Sequence, residues 1–199
     1  NKNLAAEPWS VMVLQSNDKK QTHISDIVRK LKSTKGYEQK EILDLLKSIA
    51  CTKDQAVYIN QDLIFKLIYE DKAFKNTYLL NINNKEGALY IDTKSEELPF
   101  ESFFKSGETV KCQDEIQFLI SQLELFASLS MDRNASSSKQ LSKVFTLDAL
   151  MNLIFNQEIP ENLRATLLKL LSALHIDKEP RMIQEKPNLV RIVDIDDSA

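Results

Sequence analysis

The side chains that most often bind metals or perform catalysis are few in this sequence and far apart. The two histidines, His23 and His175, have no cysteine or carboxylate at the spacing of a metal site. The acidic run from Asp194 to Asp197 lacks the spaced oxygen ligands and the glycine of a calcium loop, so we interpret it as a solvated tail. The 3 glycines are too few for a phosphate-binding loop. We therefore expect no catalytic, cofactor-binding or metal-binding residues and predict that the chain is not an enzyme.

Two further polar side chains have alternative interpretations. His175 lies near the C-terminus of a predicted helix, where the negative end of the helix dipole favours a charged imidazole. We favour a structural role for it, the alternative being a pH-sensitive hinge at the helix end. Arg164, early in the same helix, either pairs with a carboxylate on a neighbouring helix or faces solvent.

The composition is globular and argues against several classes of protein. Of the 199 residues, 43% are hydrophobic and 28% are charged, which is enough apolar material for one sizeable core. The formal net charge is −3 and basic residues are interleaved with acidic ones, so we expect no nucleic acid partner. No run of about 18 apolar residues occurs, so we expect no membrane span. The sequence lacks an initial methionine and begins mid-pattern, which suggests a fragment of a much larger chain.

The two cysteines make a poor disulfide framework. Cys51 ends an apolar helical stripe and is interpreted as a small core residue, and Cys112 is the second. This usage favours a reducing, cytosolic setting.

Helical periodicity dominates the elements that must position these residues. Apolar residues recur at the spacing of one helix face in four short segments. The predicted stripes are Ile24, Ile27, Val28 and Leu31; Ile42, Leu45, Leu46 and Ile49; Leu63, Ile64, Leu67 and Ile68; and Leu163, Leu167, Leu170, Leu171 and Leu174. We expect Gly36 to end the first helix, and Asn60 and Thr146 to cap helices. Pro160 belongs to the first turn of the last helix, which ends at Asp177 and Pro180.

One long segment, CQDEIQFLISQLELFASLSMD, is apolar on two sides. Its first face contains Ile116, Leu119, Ile120, Leu123 and Ala127, and its second contains Phe118, Leu125, Phe126 and Leu129. A helix of this kind is sandwiched between neighbours rather than lying on a surface. The following stretch RNASSSKQ is a polar connector, either one loop or a loop with a short helical turn.

The middle of the chain changes character. The segment from Tyr78 to Asp92 places branched and aromatic residues around a turn-forming cluster, which predicts two short strands or extended segments joined by a turn. LPFESFFKSGE then predicts a short helix closed by Gly107. Seven or so helices with short links, several apolar on two faces, predict a mainly α fold of stacked helical pairs. Residues 78–107 are predicted to be an insertion, extended or hairpin-like near 78–105, and residues 108–180 a second helical half.

Three segments together resemble a known family. They are LDLLKSIACTKDQAVYINQDLIFKLI, ISQLELFASLSMDRN and LRATLLKLLSALHIDKEP, in that order along the chain. The first resembles the RIH domain shared by inositol-trisphosphate and ryanodine receptors, and the other two resemble the inositol-trisphosphate receptor more closely. The resemblance runs from about residue 12 to residue 180, with the insertion in the corresponding place.

The resemblance implies an armadillo-like helical solenoid, with residues 1–199 forming part of one RIH domain. It implies a non-catalytic regulatory role in a homotetrameric calcium-release channel on the cytosolic face of the endoplasmic reticulum or another calcium store. Inositol trisphosphate would bind domains upstream of this segment, which itself would pass a rigid-body motion onward to the channel's other domains and subunits. The alternative function is an armadillo-type protein–protein interaction scaffold in a non-channel assembly.

Overall fold

The computed structural model describes residues 17–34, 37–52, 55–92, 96–102 and 111–177, and these are mainly helical with two small antiparallel sheets. The helices are α1 (Asn17–Ser33), α2 (Tyr37–Ala50), α3 (Tyr58–Phe65), α4 (Lys72–Tyr78), α5 (Lys111–Leu129), α6 (Ala135–Val144), α7 (Leu147–Phe155) and α8 (Glu161–Leu171). The strands are β1 (Cys51–Thr52), β2 (Gln55–Ala56), β3 (Asn81–Lys85), β4 (Ala88–Asp92) and β5 (Glu97–Pro99). No described helix is long and apolar enough to cross a bilayer.

Two helices widen into a π-helical turn at their C-terminal ends. Lys66–Glu70 continues α3 and Ser172–Ile176 continues α8. Each turn closes with a hydrogen bond across five residues, from Asp71 N to Lys66 O at 3.2 Å and from Asp177 N to Ser172 O at 2.8 Å. The α8 segment therefore ends at Asp177, as predicted, whereas Pro180 lies outside the described residues.

The first two helices follow the predicted pattern only in part. On α1, Ile24, Val28 and Leu31 are buried, as predicted. On α2 the buried residues are Leu43, Leu46 and Ala50, whereas Leu45 is 46% exposed, so its predicted place in the core was wrong. Apolar residues cover a broad arc of this helix. Periodicity therefore does not determine which part of that arc packs against the neighbouring helices. Gly36 lies outside the described residues.

The predicted cap of the third helix was also wrong. α3 begins at Tyr58, after Val57, with no side-chain cap. Asn60 is inside the helix and 4% exposed, and its Nδ2 donates to Ile49 O at 3.0 Å. Because a buried amide must find a partner, Asn60 ties α3 to the end of α2 instead of capping its own helix.

The middle segment forms a three-stranded antiparallel sheet in the order β3-β4-β5. The two predicted strands are confirmed as β3 and β4, joined by Glu86 and Gly87 with φ of 53° and 85°. Two successive positive φ values define the tight turn whose twist matches that of paired strands. Leu98, expected in a short helix, lies in β5 opposite Ile91, and residues 103–107 lie outside the described part.

The hairpin is fixed to the helices by side-chain amides. Gln122 of α5, 1% exposed, donates to Leu80 O at 2.8 Å and accepts from Leu80 N at 2.9 Å. Asn84 Nδ2 donates to Val144 O at 2.9 Å and to Thr146 Oγ1 at 3.2 Å, at the junction of α6 and α7. The main chain at Leu80 and the side chain of Asn84 therefore bond to groups on or beside helices instead of to water.

Helix α5 is sandwiched, as its two apolar faces predict. It packs against α2 and α3 and also against α8. Its buried residues come from both predicted faces and include two polar ones: Leu119, Leu123, Leu125, Phe126, Ala127, Leu129, Ser121 and Gln122. The core of the described chain is thus built around α5.

The second half ends in a helical hairpin. Thr146 is confirmed as the N-cap of α7, since its Oγ1 accepts from Ala149 N at 3.4 Å. Pro160 immediately precedes the first residue of α8. All five residues of the predicted leucine stripe of α8 are buried: Leu163, Leu167, Leu170, Leu171 and Leu174.

Candidate functional site: a buried polar junction

Polar side chains from α3 and from the turn after α5 meet in the core. Gln61 is fully buried and Asn134 is 6% exposed. Gln61 Nε2 donates to Ser128 O at 2.7 Å, and Asn134 Nδ2 donates to Gln61 Oε1 at 3.1 Å and to Asp62 Oδ1 at 3.0 Å. We call Gln61, Asp62, Asn134 and the main chain of residues 128–133 the polar junction.

Every hydrogen-bonding group of the Asn134 side chain has a partner in the polar junction or in α6. Both hydrogens of its amide are donated to α3, and its Oδ1 accepts from Ser136 N at 3.1 Å, which caps α6. An asparagine amide has two donors and one acceptor oxygen, and here each of them has a partner. One side chain therefore both starts α6 and fixes it to α3.

The turn at the centre of the polar junction has an unusual backbone. Asp132 and Arg133 have φ of 54° and 66°, in the left-handed region that costs a non-glycine residue about 1–2 kcal/mol. Asp132 Oδ2 accepts from Ala56 N at 2.7 Å, and Asp132 O accepts from the Tyr58 hydroxyl at 2.8 Å. Contacts from β2 and α3 thus offset the strain of the turn.

The same turn contacts the end of α8. Arg133 Nε donates to Asp177 Oδ1 at 2.8 Å, at the residue that closes the π-helical turn. His175, half-buried in that turn, places Nε2 2.7 Å from Phe145 O, so Nε2 carries the proton and donates to the carbonyl that follows α6. The polar junction therefore links α3, α6 and α8, which are remote in sequence.

Cys51 lies at the edge of the polar junction. Its thiol donates to Ser128 O at 3.3 Å, and its Sγ is 3.5 Å from Met131 Sδ. It is partly exposed in β1, so its interpretation as a small core residue was only partly right. The Cys112 side chain lies outside the described residues.

Helix α6 is fixed to other elements by two of its polar side chains. This helix comes from the RNASSSKQ stretch, predicted to contain at most a short turn, and spans ten residues. Ser137 is fully buried and donates to Leu129 O at 2.6 Å, while Gln140 Nε2 donates to Glu70 Oε1 at 2.6 Å. Serine is a weak helix former, but the buried Ser137 has a main-chain partner here, whereas the buried Ser138 Oγ has none.

A charged cluster joins three helices beside the junction. Glu124 of α5 accepts from Lys47 of α2 at 2.5 Å and from Lys169 of α8 at 2.9 Å. Burial raises the pKa of Glu124, but the hydrogen bonds and charges of the two lysines outweigh this effect and hold the pKa below its ordinary value. Burial lowers the pKa of Lys47, but Glu124 and Asp44 outweigh this effect and raise the pKa above its ordinary value. Ion pairs therefore connect α2, α5 and α8.

The residues singled out by sequence are not brought into one reactive site. His23 is exposed on α1, and His175 contributes only its contact with Phe145. Arg164 is half-buried, and its Nε is buried with no hydrogen-bond partner, so the predicted simple solvent-facing position does not describe it. Asp194–Asp197 lies outside the described residues. Among the residues that the structure describes, no group of three or more His, Cys, Asp and Glu is placed to hold a metal ion.

Sequence reasoning did not assign roles to Gln61, Gln122 and Asn134 as buried bridges. The available signal was a polar residue inside or next to an apolar stripe, as with Gln122 between Ser121 and Leu123. That signal does not identify the partner, because the partners are main-chain and side-chain groups of distant segments.

A scan of the sequence against models of known protein families found no match.

Proposed function

We propose that this chain is a non-catalytic regulatory domain of an inositol-trisphosphate-receptor-like calcium-release channel. In this proposal the helices form part of an armadillo-like solenoid that couples ligand binding to gating by rigid-body motion. The channel would be a homotetramer on the cytosolic face of an intracellular calcium store, with inositol trisphosphate bound by upstream domains. Residues 78–107 would be an insertion within this RIH domain.

One observation carries the proposal. The three segments that resemble the family are far apart in sequence, and each contributes to the polar junction or to its contact with α8. The first supplies Gln61 and Asp62, the second supplies Arg133 and Asn134, and the third supplies Asp177. If the three segments resembled the family only because they share helix-forming residues, there would be no reason for their polar residues to meet in the structure.

The packing supports a mechanical role. Helix α5 is covered on two sides, and Glu124 links it to α2 and α8 through Lys47 and Lys169. Closely packed helices with satisfied polar bridges move as units rather than deforming smoothly. Tilting one part of such an array displaces the other part.

The channel assignment can be tested directly by searching the full reading frame that encodes this chain for membrane spans. Six apolar spans downstream of these residues support a channel, and a reading frame without them contradicts it. If the spans are absent, the better-supported function is that of an armadillo-type protein–protein interaction scaffold in a non-channel assembly. Exposed apolar side chains such as Tyr58, Ile59 and Phe155 favour that second function, because they provide surface for a partner.

The placement of the ligand site has a binding test. The isolated chain should show no measurable affinity for inositol trisphosphate by calorimetry, and tight binding would contradict an upstream site.

The coupling role is tested in the full-length protein reconstituted in calcium-loaded vesicles. Arg133→Ala combined with Asp177→Ala should shift the inositol-trisphosphate concentration for half-maximal calcium release while leaving ligand affinity unchanged. Arg29→Ala is the matched control, since Arg29 forms an exposed ion pair with Asp26 within α1. An equal effect of both changes on release, or an effect on ligand affinity, would contradict coupling through the polar junction.

A further inference from the structure

Tyr58, the first residue of α3, contacts the strained turn of the polar junction from the surface of the molecule. Tyr58 is 52% exposed, and its hydroxyl donates to Asp132 O at 2.8 Å. Among the tyrosines whose side chains the structure describes, Tyr69 is buried and Tyr78 and Tyr90 are half-buried, so Tyr58 is the exposed one. An enzyme that modifies tyrosine hydroxyls therefore reaches Tyr58 more readily than these other three.

The residue that accepts this hydrogen bond has a backbone conformation that needs support. Asp132 and Arg133 have φ of 54° and 66°, a region that residues other than glycine rarely adopt. Asp132 is held on one side by the Tyr58 hydroxyl and on the other by Ala56 N, which donates to its Oδ2 at 2.7 Å. Both of these hydrogen bonds are exposed, whereas the amides of the polar junction are buried. Surface contacts thus hold the strained pair in place.

The strained pair also provides the contact with α8. Arg133 Nε donates to Asp177 Oδ1 at 2.8 Å, and Asp177 N closes the π-helical turn by donating to Ser172 O at 2.8 Å. The directions open to a side chain depend on the φ and ψ of its own residue. A return of Asp132 and Arg133 to ordinary backbone conformations therefore redirects the Arg133 side chain and breaks its pairing with Asp177.

Phosphorylation of the Tyr58 hydroxyl would change both interactions around Asp132. In this reaction the hydroxyl oxygen attacks the γ-phosphorus of ATP, and its proton passes to the catalytic base of a tyrosine kinase. ADP leaves with the electron pair of the broken phosphorus–oxygen bond. The phosphorylated side chain has no hydroxyl hydrogen to donate to Asp132 O. It also brings a charge of about −1.5 to −2 close to the Asp132 carboxylate, and like charges repel.

We propose that Tyr58 is a phosphorylation site for a tyrosine kinase, and that its phosphorylation releases the Asp132–Arg133 turn from α3 and α8. In the unmodified chain the turn connects these two helices. In the phosphorylated chain the turn relaxes, and Arg133 no longer pairs with Asp177. The inference concerns contacts within this chain and does not depend on a calcium channel, so it and the proposed function can fail separately.

The first experiment tests the modification site. The folded 199-residue chain is incubated with magnesium ATP and the catalytic domain of a broad-specificity tyrosine kinase, and mass spectrometry measures phosphate in each peptide. Each rate is divided by the rate for a synthetic peptide of the same local sequence, which corrects for the sequence preference of the kinase. Tyr58 should then react about tenfold faster than Tyr78 and Tyr90, because half-buried rings must first be exposed by local opening. Equal corrected rates, or no phosphate on Tyr58, would overturn the proposal.

The second experiment tests release of the turn. Phosphotyrosine is incorporated at position 58 during translation, and hydrogen exchange is compared with that of the unmodified chain. The Ala56 amide should exchange about tenfold faster, because it loses its acceptor on Asp132. The Asp177 amide should also exchange faster, because the π-helical turn loses the support of Arg133. Unchanged exchange at both amides would overturn the proposal.

Two variants separate the loss of the hydroxyl from the added charge. Tyr58→Phe removes the hydroxyl alone, so exchange at Ala56 should increase by less than in the phosphorylated chain. Tyr90→Phe is the matched control, since it removes a tyrosine hydroxyl from β4, and it should leave Ala56 and Asp177 unchanged. A uniform increase that includes the β3–β4 hairpin would indicate a general loss of stability and would also overturn release of the turn.

Discussion

The side chains of Gln61 and Asn134, 73 residues apart in the sequence, meet in the core with 3.1 Å between Asn134 Nδ2 and Gln61 Oε1. Gln61 also donates to Ser128 O at 2.7 Å, so one buried amide connects α3 to both sides of the turn after α5. Because all these groups have lost water, the polar junction is the part of the fold most sensitive to removal of a single partner.

Gln61→Leu should lower the free energy of unfolding by about 2–3 kcal/mol, because the change leaves an Asn134 N–H unpaired and leaves the Ser128 carbonyl with only the weak Cys51 thiol as a donor. Urea denaturation followed by circular dichroism measures the loss. Gln55→Leu, at an exposed position in β2, should change stability by less than about 0.5 kcal/mol. Similar losses for the two variants would mean that the polar junction does not stabilise the fold.

Gln122→Leu should release the chain before β3 from α5. Gln122 makes two hydrogen bonds to Leu80, and each buried main-chain group left without a partner costs about 1–3 kcal/mol. Hydrogen exchange should be faster at the Leu80 amide in the variant, with little change in α8. Gln117→Leu, at a half-buried position on α5, is the control, and unchanged exchange at Leu80 in Gln122→Leu would refute the anchoring role.

Glu124→Gln should reduce stability in a pH-dependent manner. The folded-state pKa of Glu124 lies below its ordinary value, so its contribution to stability is complete above that ordinary value and is lost as the pH falls through the lower folded-state pKa. We expect a loss of about 1 kcal/mol at pH 7, because the lysines are partly exposed, and a smaller difference from the native chain in acid. Unfolding measured from pH 3 to pH 7 checks this.

The same pH series separates the Glu124 cluster from general charge effects. Glu38→Gln removes an exposed carboxylate on α2, and its difference from the native chain should stay small throughout. A Glu124→Gln difference that grows as the pH falls would contradict the sign derived from the lowered pKa.

Gly87→Ala should cost about 1 kcal/mol, because Gly87 has φ of 85° and an added Cβ makes that backbone conformation unfavourable. The loss comes from the backbone alone, since nothing lies within 4 Å of the position that a Cβ would take. Glu86→Asn should instead stabilise the turn by about 0.5 kcal/mol, since asparagine tolerates the positive φ at this position better. Thermal unfolding of both variants measures the opposite signs, and a loss in Glu86→Asn would contradict the assigned turn.

The periodic apolar segments were predictable because helix geometry imposes a fixed spacing on any face that is buried. The leucine stripe of α8 and the two-sided pattern of α5 are examples, and Thr146 was predictable as a cap because its oxygen bonds within its own first turn. The two strands of the β3–β4 hairpin were predictable for a similar reason, since alternation and turn chemistry are local.

Other features depend on partners that are distant in sequence. α6 was expected to be largely loop because its serines are poor helix formers, and it is a helix because Ser137 and Gln140 find partners on other elements. Asn60 was expected to be a cap, and it bonds instead to the end of α2. Leu45 was expected in the core, and it is exposed because the neighbours of α2 select a different part of its apolar arc.

The sequence by itself determined where most helices and the hairpin form, since those outcomes depend on contacts within a few residues. Only the tertiary structure decided which polar side chains become buried bridges, because Gln61, Gln122 and Asn134 bond to groups 42 to 73 residues away. A buried amide gains its stability from the particular acceptor that the fold brings to it, and no local pattern specifies that acceptor.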